Sequence, residues 1–70
     1  MNQYLIVIEK SETGYGAYVP DLPGCITVGD SVQEVKDNMQ EALALHLEDL
    51  EEAHMPIPTN TAAATMVAAY

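Results

Sequence analysis

Tyr15-Gly16-Ala17-Tyr18-Val19-Pro20-Asp21-Leu22-Pro23-Gly24-Cys25 is the stretch that decides the fold. Tyr15, Ala17 and Val19 alternate with Gly16 and Tyr18, the period-two pattern of a strand with two distinct faces. Pro20 ends the ladder because it has no amide proton to donate. Asp21-Leu22-Pro23-Gly24 reads as a tight turn. Proline presets its first central position, and glycine supplies the positive φ of a type II turn at the second. Cys25 to Val28 returns as a third short strand, which Gly29-Asp30 closes.

Upstream, Tyr4 to Glu9 is an apolar run with β-branched residues at Ile6, Val7 and Ile8. Tyr4, Ile6 and Ile8 share one face; Leu5 and Val7 share the other. Two apolar faces mark a central strand, or one whose second face meets another subunit. Ser11-Glu12-Thr13-Gly14 is polar, ends in glycine and predicts a hairpin turn. Downstream, Ser31 followed by Glu34 matches a capping box, so a helix is predicted from about Val32 to about Ala53. Val32, Val35, Met39, Ala42, Leu43, His46, Leu47 and Leu50 fall on one stripe at helical spacing. Glu34, Asp37, Glu41, Glu48, Glu51 and Glu52 fall outside it and face solvent. Leu45 lies among the acids, away from the stripe, and is a candidate subunit contact.

Met55-Pro56-Ile57-Pro58 breaks the helix. Thr59 to Thr65 is small and polar, and Thr65 to Tyr70 is read as a short last strand against alanine's own preference for helix. The order is β-β-β-α-β over a single domain, residues 1–70. This is an α+β fold: an antiparallel meander with one long helix packed on one sheet face. A right-handed crossover would bring the last strand parallel to the first. The second face would stay apolar, and another polypeptide is its simplest cover.

With 70 residues the chain buries only about 60% of its unfolded surface, and domains of this size usually rely on a disulfide, a metal or a partner. Cys25 is the only cysteine, so no internal disulfide is available. No Cys/His cluster has zinc spacing, and nothing calls for a cofactor. Oligomerisation, as a dimer or tetramer, is the remaining support. Eleven acids face two lysines, Lys10 and Lys36, for a formal net charge of −9. Such a chain repels phosphate backbones and anionic membranes, which argues against direct binding of either. A basic protein is its natural complement. Met1-Asn2-Gln3-Tyr4 opens no secretion signal, no run reaches membrane-spanning length, and a free cysteine suits a reducing compartment, so the cytoplasm is expected.

Catalytic readings are weak. Metal-dependent phosphodiester cleavage needs several clustered carboxylates, yet Tyr4-Leu5-Ile6-Val7-Ile8 holds none and Glu9 lies only at its end. Cys25 and His46 as nucleophile and base have no accompanying oxyanion motif; a small buried cysteine and a core-edge histidine explain them better. Glu48-Asp49-Glu51-Glu52 lacks the alternating ligands and glycine of a calcium loop and reads as a solvated helix face. His54 sits where a protonated imidazole would favour the helix's negative end. No enzymatic activity is expected.

Three features occur in a characteristic order: the run Gly14 to Cys25, Gly29-Asp30-Ser31 leading into a helix with Glu34, and Met55-Pro56-Ile57-Pro58 after an acidic helix. Together they resemble the HicB-like antitoxin family, over roughly Tyr4 to Pro58. The resemblance implies a truncated ribonuclease H-like sheet with one packed helix. It also implies a binding module that neutralises a small basic toxin, HicA-like, which degrades messenger RNA. That toxin resembles a double-stranded RNA-binding fold with a catalytic histidine, and the antitoxin covers its active site or RNA face. Longer family members carry a C-terminal DNA-binding segment; none is seen here, so autorepression by this chain alone is not expected. The alternative is a solitary oligomeric regulatory or structural protein of the same fold. For partner contact the candidates are Tyr18, which is either a sheet-packing residue or an interface anchor, Asp21 and Leu22, on the turn, and Leu45. The turn residues also have a plain backbone role, setting the register of the strands they join.

Overall fold

The computed structural model of the chain describes residues 3–69. Three strands, β1 (Val7–Lys10), β2 (Tyr15–Tyr18) and β3 (Ile26–Gly29), precede one helix, α1 (Val32–Glu52). The strands form an antiparallel sheet in the order β1-β2-β3. Register assigns the two faces: Ile8, Ala17 and Thr27 lie across from one another on one, and Val7, Tyr18 and Ile26 on the other. The first face carries the helix. Ala17, Val19, Leu22, Cys25, Val35 and Met39 form its buried core, with Tyr4, Ile6, Ile8, Leu43, Leu47 and Leu50 packed around it. Leu22, Val35 and Met39 are the largest fully buried side chains, each stabilising the fold by about 1.5–3 kcal/mol.

β1 begins later than the apolar run does, and the cause lies in β2. Past Tyr18 the Val19 amide turns to the Cys25 carbonyl at 3.1 Å, and Pro20 has no amide to offer. Tyr4 to Ile6 therefore lose their ladder partner while keeping their place on the core. The turn forms as expected, one residue on: the Cys25 amide donates to the Leu22 carbonyl at 3.1 Å, with Pro23 and Gly24 central and Gly24 at φ +87. That is the type II geometry in which glycine is favoured.

The helix starts at a Ser31 cap, whose side chain accepts from the Glu34 amide at 3.1 Å; such a cap contributes about 1 kcal/mol. Gly29 lets the helix approach the end of β3. A Cβ there would sit 3.0 Å from Val35 Cγ2 and 3.1 Å from the Val35 nitrogen. The helix closes on a Schellman motif: the His54 amide donates to Glu51 O at 3.1 Å and the Met55 amide to Leu50 O at 2.9 Å. His54 takes the left-handed position at φ 56.

The predicted fifth strand does not form over residues 65–69, and Tyr70 lies outside the described residues. The architecture is β-β-β-α followed by an irregular tail. Local reasons favour this outcome. The alanine-rich segment has little side chain to pack on a sheet, and the chain before it is held elsewhere. The Tyr4 hydroxyl donates to Pro58 O, the Leu5 amide to Asn60 Oδ1 at 2.8 Å, and Thr61 and Ala62 bind Asp21.

Candidate partner-binding surface

The face of the sheet opposite the helix has no cover among the described residues. Tyr18 is 42% exposed, Ile26 70% and Val28 73%, and Val7 lies beside Tyr18 in register. β-Sheet geometry places these apolar side chains in one patch, with Glu9 at its margin. Gly16 lies between Glu9 and Val28 and opens a shallow trough of ≈ 440 Å³ over the sheet. Nothing within the chain demands a glycine there. Its φ is not positive, and an added Cβ would approach nothing nearer than Thr27 O at 3.9 Å. A bare strand position of this kind lets another molecule come close to the backbone.

The outer surface of the helix differs. Glu34, Asp37, Glu41, Glu48, Asp49, Glu51 and Glu52 are all exposed, and the last turn holds no basic residue. Glu51 and Glu52 thus sit at the negative end of the helix dipole, an unfavourable placement that a cationic neighbour would relieve.

The four predicted contact residues part company. Tyr18 stands on the open face. Leu45 is 62% exposed on the outer side of the helix. Leu22 requires a correction: it is 1% exposed, a core residue with no side-chain surface for a partner. The turn hides it because Leu22 N bonds back to Val19 O at 3.1 Å and folds the residue under the sheet end. Asp21 is occupied by its own chain. Its carboxylate accepts from the Ala62 amide (2.8 Å), the Thr61 hydroxyl (2.7 Å) and the Thr61 amide (2.9 Å). These bonds hold its carboxyl below the usual carboxylate range. Sequence reasoning missed Ile26, Val28 and Gly16 as surface features. The alternation of Ile26-Thr27-Val28 was the available signal.

Cys25 is buried, with Sγ 3.9 Å from Met39 Sδ, and burial pushes its thiol up. A protonated thiol against a methionine is a packing group. His46 lies two turns beyond Met39, about 10 Å along the helix axis. Among the described residues no group of three or more His, Cys, Asp or Glu is placed to hold a metal ion, and no helix is long and apolar enough to cross a membrane.

An uncovered apolar sheet backed by one acidic helix defines a small α+β domain with a surface suited to another polypeptide. The chain belongs to the HicB-like antitoxin family of bacterial toxin–antitoxin systems, whose family model matches residues 4–70. It is similar to a UPF0150 protein of Helicobacter pylori, 53% identical over 45 residues, covering 64% of this chain and 62% of that one. It is also similar to a UPF0150 protein of Thermoplasma acidophilum, 38% identical over 61 residues, covering 86% and 88%. Among solved structures it resembles a chain of the HicA3 and HicB3 toxin-antitoxin complex, with a TM-score of 0.69 and 36% identity, over 79% of this chain and 64% of that one. The chain thus spans somewhat under two thirds of the Helicobacter relative and of that structural relative.

Proposed function

We propose that this domain neutralises a small basic toxin that degrades messenger RNA, by laying the open face of its sheet over the toxin's active site or RNA face. The carrying observation is the uncovered patch of Val7, Tyr18, Ile26 and Val28 in a chain of net charge −9. Charge and patch do different work. The negative field draws a basic partner in and sets the rate of encounter. The apolar patch supplies the desolvated contact that slows its release. Membership of an antitoxin family, and a structural relative solved as a complex of HicA3 and HicB3, support a HicA-like partner. The domain acts by binding and not by catalysis, in the cytoplasm, without contacting nucleic acid directly. It works as a dimer or tetramer.

Leu45 is the second candidate contact, on the outer side of the helix. Replacing Tyr18 and Leu45 by alanine in turn separates the two surfaces: Tyr18→Ala weakens the toxin complex and Leu45→Ala does not. The test is a calorimetric titration of this chain with a HicA-like toxin at low and high salt. Steering by charge predicts affinity that falls as salt rises; affinity indifferent to salt removes that part of the reading.

A further inference from the structure

Among the described residues, the tail after Ala62 and the outer edge of β1 are both left without strand partners, and each is what the other lacks. Among the described residues, β1 pairs only with β2, so the other side of Val7–Lys10 offers its backbone amides and carbonyls to solvent. The opposite edge is blunted: Asn38 Nδ2 on the helix donates to Val28 O on β3 at 3.0 Å. An open strand edge is a template for another strand.

The same chain carries an irregular, exposed segment that packs on nothing among the described residues. Residues 63–69 have no helix or strand, and Met66 and Val67 are 96% and 84% exposed. In this structure they form no strand with their own β1 edge. Asn60 is fixed at Leu5, ahead of β1, and Thr61 and Ala62 are tied to Asp21. Asp21 lies three residues past Tyr18, which pairs with Val7. The bonds therefore hold residues 60–62 beyond the starting end of β1, with Thr61 and Ala62 at Asp21 on the β2 side.

We propose that residues 63–69 of one copy pair along the outer edge of β1 in a second copy, and that the second copy returns the same contact. This rests on the oligomeric reading above and names its interface. Charge favours this occupant. From Met55 onward no side chain is charged, so the tail can approach another acidic copy where the helix surface would be repelled. The β1 edge also ends in Lys10, one of only two cations in the chain. An exchange of identical segments closes on itself as a two-fold dimer. It leaves the open face of the sheet free for a toxin.

The test is the mass of the full chain in solution beside a Met66→Pro/Val67→Pro double variant. Neighbouring residues of a strand send their amides to opposite sides, so two consecutive prolines remove the donor that faces the partner edge whichever residue supplies it. The expected result is a wild-type dimer, at twice 7.6 kDa, and a variant of monomer mass with the same helical circular dichroism. A variant that remains a dimer overturns the exchange and leaves the oligomeric reading standing. A wild-type monomer at micromolar concentration overturns both.

Discussion

The carboxylate of Asp21 grips Thr61 twice, accepting from its hydroxyl at 2.7 Å and its amide at 2.9 Å, across forty residues of chain. The Ala62 amide adds a third bond at 2.8 Å and is the largest cause of the lowered pKa, followed by the Thr61 hydroxyl and then the Thr61 amide. A carboxyl whose folded value lies below its ordinary 3.8 contributes stability above that value. The contribution is lost as pH falls through the folded value. The tail is therefore predicted to stay docked at neutral pH and to release only in acid below 3.8. The amide resonances of Thr61 and Ala62 should titrate with Asp21, and Asp21→Asn should weaken the docking at neutral pH and remove its pH dependence. Resonances that ignore Asp21 across this range would show that the clasp does not form in solution.

His54 holds the left-handed position of the helix end at φ 56, where a side chain is strained. Glycine takes that conformation freely. His54→Gly is predicted to raise stability by about 1 kcal/mol, since the Schellman bonds depend only on backbone atoms. Urea unfolding measures this, and a lowered midpoint would contradict the assignment.

Met39 is 1% exposed and joins the helix to the third-strand side of the core through Cys25. Met39→Ala should cost about 2–5 kcal/mol, the usual range for opening a cavity at a buried methionine. For so small a domain that is a large share of the total. Partial unfolding at room temperature is the expected readout by circular dichroism, and a loss under about 1 kcal/mol would place Met39 outside the core.

Gly16 separates folding from binding. A side chain fits there without a clash inside the chain, and glycine in a strand is itself unfavourable by about 0.5–1 kcal/mol. Gly16→Val should leave stability equal or slightly raised, while filling the trough and weakening the toxin complex. Unchanged affinity in this variant would move the interface off the open face.

Much of this fold is written locally. Alternation placed Tyr15, Ala17 and Val19 on one side and Gly16 and Tyr18 on the other, and the structure makes the first of these the core side. The Ser31 cap, the Pro23-Gly24 turn and the helix stop near Ala53 are short-range signals, and each formed, the cap through the Ser31 hydroxyl alone. What escaped depends on residues far apart in sequence. Nothing near Asp21 announces that Thr61 and Ala62 will meet it, and beyond that meeting residues 65–69 form no strand. Leu22 was misjudged because turns usually lie at the surface, whereas this one tucks its leucine beneath the sheet. On the open face, Tyr18 was legible from period two alone. Gly16 was not, because only the space around it reveals that no internal contact requires a glycine.

The central claim is that the bare face of this sheet silences an RNA-cutting protein. Its most direct measurement is RNA cleavage by a purified HicA-like toxin as this chain is added in increasing amounts. Cleavage should fall to zero near equimolar chain, and a Tyr18→Ala variant should need more to reach it. RNA cut at an undiminished rate in the presence of excess folded chain would contradict the claim.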